Sequence, residues 1–378
     1  MKIAYCIAGT YNSGGMERVL ANKANYLSGR GHEVVIITTE QRGQSPFFKL
    51  DERIRCHDLG INYETNNGKS LLNKVIRYPL KQWKHKRRLT TTLKQIKPDI
   101  TVSMFCNDAS FLWKIKDGSR KVLEIHFSRY KRMQYGRRGL WKIVDRWRSR
   151  RDGNTVKKYD RFVVLTHEDK SYWGDWPDIA VIPNALTFPV ARPALLDNKR
   201  VIAVGRYSYQ KGFDYLIDAW AIVHYFQPEW KLDIIGGGEW EERLQRQIDE
   251  NKLNHCVRLK PSTGHIEKEY EQASILVMSS RYEGLPMVLL EAQSFGLPIV
   301  SFACKCGPKD IITDGENGFL VPEGSLPTLA DRILRLMEEE ELRKRMGMRA
   351  FACSKAFSEE RIMRHWNDLF YELVSGNA

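Results

Sequence analysis

Two stretches of the chain carry the same alternation of apolar runs and polar turns. In the first, KIAYCIAGT (2–10) is followed by the turn YNSGG, then by MERVLANKANYLSGRGH with apolar residues at helical spacing, then by the apolar run EVVIITTE. In the second, RVIAVGR (200–206) is followed by YSYQKG, by FDYLIDAWAIVHYFQPEW and by KLDIIGGG. Each reads as strand, loop, amphipathic helix, strand, and unbroken apolar strands of this kind belong to parallel sheets covered by helices on both faces. A βαβ unit requires a parallel sheet with helical crossovers, so two such openings predict two doubly wound α/β domains. ITVSMF (100–105), KVLEIHF (121–127) and RFVVLT (161–166) extend the first sheet. CVRL (256–259), SILVMSS (274–280) and LPIVSFA (297–303) extend the second. The run VIPNALTFPVARPALLDNK holds three prolines and no helical period, which marks a boundary. The expected division is 1–184, a linker over 185–198, and 199–357, with a last helix at 358–378 spaced by Ile362, Trp366, Leu369 and Phe370.

A length of 378 residues exceeds what one hydrophobic core usually serves, in line with two domains. No apolar run approaches the ~20 residues a membrane span needs. The N-terminus MKIAYCIAGTYNSGG has one lysine and a short strand-like run, not a signal peptide, so the expected location is the cytoplasm. The seven cysteines contain no C-x-x-C and the nine histidines no H-E-x-x-H, so free or buried thiols are expected, with no metal site. Net charge is +14 and unevenly spread. KVIRYPLKQWKHKRRLTTTLKQIK (74–97) has nine Lys/Arg and no acid, and RYKRMQYGRRGLWKIVDRWRSRR (129–151) is nearly as basic. Such density points to a polyanionic partner, against the plainer reading of a solvated charged face.

The chemistry gathers at glycine turns that follow strands. In SSRYEGLPMVLLEAQSFGLP (279–298), Gly284 permits a sharp exit from the strand and Pro286 suits the first helical position, where its missing N–H costs nothing. The amides of Met287, Val288 and Leu289 then point out of the helix start, ready for a phosphate. Glu291 lies about one turn in, at the separation of a ribose from a diphosphate, and Glu283 lies on the other side, where a sugar would sit. Taken alone, two glutamates eight apart are ordinary surface residues. VGRYSYQKGFDYLI adds Arg206 and Lys211 at another strand end of the same sheet, two cations able to neutralise a diphosphate leaving group. In NSGGMERV, Gly14, Gly15 and Met16 open a helix; paired glycines let a substrate approach the backbone closely, although a plain tight turn would also use them.

The ordered set NSGGMERV, VGRYSYQKGFDYLI, IIGGGEWEERL, YEGLPMVLLEAQSFGLPIV and GPKDIITDGENGFLV resembles glycosyltransferase family 4, over nearly the whole chain. The resemblance implies a GT-B fold, two Rossmann-like domains facing across a cleft, with the C-terminal helix crossing back to the first. It implies a retaining, metal-independent transferase without cofactor. The substrates would be a nucleotide sugar, a UDP-sugar by expectation, and a lipid-linked saccharide or other glycan acceptor in cell-surface polysaccharide, lipopolysaccharide or glycoconjugate assembly. By the same resemblance Glu283 meets the donor-sugar hydroxyls, with Gly284 and the backbone amides between Leu285 and Leu289, those of Met287 and Val288 included, holding sugar and phosphate. Glu291 holds the ribose, Arg206 and Lys211 bind the diphosphate, and His126 faces the donor sugar near the reacting carbon. Gly15 lies near the phosphates, with Gly14 and Met16 on the acceptor side. Pro261 and Ile266, within KPSTGHI, match the nucleobase-lining segment loosely, and Gly307-Pro308 matches the loop after the next strand. Glu124, beside His126, stays open as an inverting base.

In the basic segments, Val75, Pro79, Leu80, Trp83, Leu89, Leu93 and Ile96 mark one intermittent apolar stripe, and Leu140, Val144 and Trp147, with Trp141 beside them, a second face. Aromatic residues with flanking cations suit a lipid headgroup interface, which predicts peripheral binding to the anionic inner leaflet; the alternative is packing inside the first domain. A nucleotide-sugar epimerase or phosphorylase-like enzyme would share this fold. A basic nucleic-acid-binding protein would explain the charge but not the strand-end groups, so no nucleic acid is expected.

Overall fold

The structure is a computed structural model that describes residues 1–66, 71–130, 139–174, 176–186, 188 and 192–376. The chain divides into two compact units, one formed by Met1–Leu165, Lys170–Ile182 and Met363–Ala378, the other by Thr166–Asp169 and Pro183–Ile362.

The first unit is built on a seven-stranded, all-parallel sheet in the order β3-β2-β1-β4-β5-β6-β7. Its strands are β1 Lys2–Ile7, β2 Glu33–Thr38, β3 Arg55–Asp58, β4 Ile100–Ser103, β5 Arg120–Glu124, β6 Arg161–Val164 and β7 Ile179–Val181. The order reverses between β1 and β4. Helix α1, Gly15–Gly29, follows β1, and helix α2, Leu71–Ile96, crosses over to β4. The final helix, Glu359–Ser375, brings Trp366, Leu369 and Phe370 onto this unit, where they are buried.

The second unit carries a six-stranded, all-parallel sheet in the order β10-β9-β8-β11-β12-β13. The strands are β8 Arg200–Arg206, β9 Lys231–Gly237, β10 Val257–Pro261, β11 Ile275–Met278, β12 Ile299–Phe302 and β13 Gly318–Val321. Here the order reverses between β8 and β11, so the loops leaving these two strands flank the crevice where open α/β sheets take ligands. The core on the helical faces is apolar and includes Val201, Ala203, Trp220, Ile234, Ile275, Val300 and Ile333.

The apolar runs of the sequence are the buried strands. The strands that the pattern misses have no such run. β3 is RCHD, exposed at every position on a sheet edge, β7 is three residues long, and β13 is a short GFLV segment after a turn. The stripe on α2 is split by packing: Leu89 and Leu93 are fully buried and Ile96 packs against the core, while Leu80 and Trp83 are each 63% exposed. Of the second face, Trp147 is exposed, as is Ile143. The side chains of Val75, Leu140 and Trp141, and residues 131–138, lie outside the described residues, as does part of the proline-rich boundary.

Two glycines are required at the crevice of the second unit. Gly212 has φ +62, and a Cβ there would stand 2.1 Å from the Ser279 carbonyl oxygen. At Gly205 a Cβ would meet the Lys211 stem at 2.9 Å. Gly212→Ala is expected to destabilise the fold by roughly 1–2 kcal/mol from backbone conformation alone, plus the displacement of the β11 loop, measured as a lowered midpoint in urea denaturation. An unchanged midpoint would mean that the loops after β8 and β11 are not in this contact.

Candidate active site

The strand-end residues of the second unit are brought together. Lys211, in the loop after β8, donates from Nζ to Oε1 of Glu283, in the loop after β11, at 2.8 Å. Ser280 Oγ donates to the same oxygen at 2.6 Å, and Gln210 Nε2 reaches Oε2 at 3.3 Å. The Glu283 side chain is 7% exposed, so a carboxylate that would be costly to bury is met by three donors, two on Oε1 and one on Oε2. Gln210 also donates to the Tyr282 carbonyl, the Arg281 amide donates to the Gln210 carbonyl, and Ser279 Oγ donates to the Lys211 carbonyl. Arg281 forks onto Asp214 at 3.0 and 2.6 Å and lies over the rings of Tyr209 and Tyr215. Sequence reasoning missed Gln210, Ser280 and Arg281. All three stand inside the quoted motifs; Gln210 and Arg281 gave no signal because their partners are 73 and 67 positions away, and Ser280, three residues before Glu283, carried none beyond its place in the motif.

Arg206, the last residue of β8, is exposed, and its guanidinium makes no hydrogen bond or ion pair with a described residue. The helix after β11 runs Met287–Ser294, so it starts one position later than the sequence reading placed it. Pro286 is the N-cap, extended at φ −74, ψ 100, and its carbonyl accepts from the Leu289 amide at 3.0 Å. The expectation of a free Leu289 amide is thereby corrected, because the tight first turn uses it. Leu285 and Leu289 are buried, while Gly284, Met287 and Val288 are partly exposed. Gly307, at φ +100, allows the loop after β12 to lie on Pro286, where a Cβ would come within 2.3 Å of the ring.

Glu291 Oε2 accepts from the Tyr270 hydroxyl at 2.9 Å. Tyr270 is buried and stacks on Phe295, so one carboxylate oxygen is held in a fixed orientation. Pro261 ends β10 exposed, and Ile266, partly buried, opens the next helix. Tyr207 Oη donates to the Lys260 carbonyl at 2.7 Å, which ties this segment to β8. A groove of about 890 Å³ begins at Gly238, but Glu239, Glu241 and Glu242 line it, a poor surface for an anion.

In the first unit Gly14 caps α1. A Cβ on Gly14 would strike Glu17 Oε2 at 2.2 Å, whereas one on Gly15 would meet nothing within 4 Å. Nothing in the described chain requires a glycine at Gly15. Met16, in the first turn, is partly buried and lies beside it. His126 follows β5, with Nε2 3.1 Å from Glu124 Oε1 but not aligned for a hydrogen bond, and both its ring nitrogens are buried without a partner. Burial lifts the Glu17 carboxyl above its ordinary value, with its own backbone amide and His126 opposing.

Glu124 is fully buried and accepts from Lys23 Nζ at 2.5 Å. Burial alone would raise its carboxyl, but Lys23 and His126 outweigh that and hold it at about 2. The Lys23 ammonium in turn lies 3.5 Å from the centroid of the Trp366 ring, on the final helix. A carboxylate so committed to Lys23 is a weak proton acceptor, which argues against Glu124 as an inverting base.

The family models match accordingly. "Glycosyltransferase Family 4" covers residues 13–187 and "Glycosyl transferases group 1" covers 190–352. The chain belongs to the family-4 glycosyltransferases and has the GT-B type of two Rossmann-like domains. It is 30% identical over 373 residues, 97% of this chain and 99% of the relative, to an uncharacterized glycosyltransferase of Haemophilus influenzae. It is 27% identical, over 99% of each chain, to a Campylobacter jejuni enzyme named GalNAc-alpha-(1->4)-GalNAc-alpha-(1->3)-diNAcBac-PP-undecaprenol alpha-1,4-N-acetyl-D-galactosaminyltransferase. A solved structure of similar fold is the pneumococcal O-GlcNAc transferase GtfA in complex with UDP and GlcNAc, at TM-score 0.77, 15% identity and 99% coverage of both chains.

Because Glu124 is buried, Lys23→Met is expected to cost about 3–5 kcal/mol by leaving that carboxylate unpaired, and the double variant Lys23→Met/Glu124→Gln to recover part of it, in chemical denaturation. The carboxyl is depressed, so its stabilisation is complete above the ordinary carboxylate range and is lost as pH falls toward 2. Glu124→Gln therefore flattens the acid limb of stability against pH.

Proposed function

We propose that this glycosyltransferase moves a hexose or N-acetylhexosamine, with retention, from a UDP-sugar to a lipid-linked saccharide or other glycan acceptor in polysaccharide or glycoconjugate assembly. The observation that carries the donor reading is the grouping at the β8/β11 crevice: an unpaired Arg206, a Lys211 already aimed at Glu283, and the amides of Met287 and Val288 at a helix start. Cations and an amide cluster face the place where a diphosphate would gain charge. Glu283 takes donor-sugar hydroxyls, Glu291 the ribose, and the segment from Pro261 to Ile266 lies toward the nucleobase. The His126 ring beside Glu124 and the open space at Gly15 support contacts of the first unit with sugar and phosphate. The UDP and undecaprenol-linked glycan in the names of the similar proteins support the substrate classes.

In the reaction the anomeric carbon–oxygen bond of the donor breaks and its electron pair passes to the diphosphate. The acceptor hydroxyl oxygen bonds to the same face, and its proton goes to the departing phosphate oxygen. Arg206, Lys211 and the helix amides stabilise charge that is largest in the transition state, so they raise turnover without a metal in this scheme.

A second surface supports docking of the enzyme at the anionic inner leaflet. Trp83, Lys84, Arg87 and Arg88 on α2 line a groove of about 530 Å³ beside β3, with Arg87 over the Trp83 ring. Ile143 and Trp147 are exposed on the helix Leu140–Val156. Among the described residues no helix is long and apolar enough to cross a membrane.

Arg206→Ala should lower kcat by about 10²–10³-fold with little change in stability, and Glu291→Ala should chiefly raise the donor KM. Lys211→Ala should lower both kcat and the melting temperature, since it leaves Glu283 buried without its cation. A nucleotide-sugar panel read by thermal shift, then product mass spectrometry with and without a polyprenyl-linked acceptor, identifies the substrates. Normal transfer by the Arg206 and Glu291 variants would refute the site, and a modified sugar released without acceptor would make the enzyme an epimerase. In liposome flotation, Trp83→Ala and Arg87→Ala should reduce binding to anionic vesicles and not to neutral ones; equal binding to both vesicle types would end the membrane reading.

A further inference from the structure

One side-chain cluster lies where the edge strand β10 of the second unit begins, away from the loops that leave β8 and β11 at their C-terminal ends. His224 sits in the last turn of the helix Phe213–Phe226, and His255 and Cys256 close the loop that enters β10. The Nε2 atoms of His224 and His255 face each other at 2.8 Å, and the Cys256 sulfur completes a set whose ligand atoms all lie within 4.8 Å of one another. We propose that His224, His255 and Cys256 form a zinc-binding site, two imidazole nitrogens and one thiolate, outside the transfer machinery.

The donor set is of the borderline-soft kind that zinc prefers, and the exposed side of His255 leaves room for a fourth, water ligand. Two imidazole nitrogens on a tetrahedral zinc stand about 3.3 Å apart, so the rings need to part by about half an ångström. A hydrogen bond joins the two rings, and the Cys256 thiol donates to the Leu253 carbonyl at 3.4 Å, a bond that zinc ligation would replace. Trp220 is fully buried beside the Cys256 sulfur, and its indole Nε1 has no hydrogen-bond partner. A thiol is a weak acceptor, whereas a metal-bound thiolate is a strong one and would satisfy that donor. Zinc binds the thiolate, so ligation by Cys256 displaces the thiol proton, which passes to solvent. The imidazole side needs no such displacement. A neutral imidazole has a lone pair to give.

The site stands independently of the donor and acceptor assignments. The test uses the full-length chain stripped with a chelator and titrated with Co²⁺ and with Zn²⁺. One equivalent of Co²⁺ is expected to produce a thiolate-to-metal charge-transfer band in the near ultraviolet. Cys256→Ser should abolish that band, and His255→Ala, at an exposed position, should weaken zinc binding about tenfold or more while transfer activity is unchanged. Zinc should raise the melting temperature of the wild type and not of His255→Ala. The proposal is overturned if no saturable binding occurs, if the cobalt complex has no thiolate band, or if His255→Ala binds zinc as the wild type does.

Discussion

The Lys211–Glu283 ion pair is the contact on which the donor side of this enzyme depends. A carboxylate taken out of water is stable only when its lone pairs are met, and Glu283 is met by Lys211, Ser280 and Gln210 from two loops that are 72 positions apart in sequence. The pair holds the loop leaving β8 against the loop leaving β11, at the point where the strand order reverses. Arg281 on Asp214 and the backbone bonds between the two loops reinforce the same junction. A lysine placed this way is oriented before any ligand arrives, which lowers the reorganisation that charge development would otherwise demand.

The first unit repeats the device with different residues. Lys23 on α1 and Glu124 at the end of β5 make a buried pair, and the Trp366 ring covers the ammonium. The final helix is thus part of the electrostatic support behind His126, not an appendage to the sheet. Asn367, which meets the His32 ring, and Glu372, which pairs with Arg161, add polar contacts along the same helix. Gly14 and Gly15, though adjacent, differ in cause: one makes room for Glu17, the other faces space that the chain does not fill.

Much of the fold was legible because parallel strands buried on both faces leave unbroken apolar runs, as in IAYCI and VVII, and because the crossover helices keep a helical period. The edge strand β3 was not, since RCHD has neither alternation nor apolar content and is a strand only by pairing with β2. Of the candidate site, glycines and charges just past strand ends were visible as spaced motifs. The helix start was misplaced by one residue because an N-cap proline and a first-turn proline look alike in sequence, and only backbone angles separate them. Tyr270, which orients Glu291, carried no sequence signal, its hydroxyl being 21 positions from its partner.

The sequence by itself determined two parallel α/β units, the strand ends at which chemistry is placed, and an excess of cations on α2, because each of these is written in local period, turn residues or composition. The tertiary structure alone decided which charges are paired. Lys211 with Glu283, Lys23 with Glu124, and Arg206 with no described partner all follow from strand order and loop packing. Charge pairing acts over a few ångströms while the partners stand up to a hundred positions apart, so no reading of local pattern contains it.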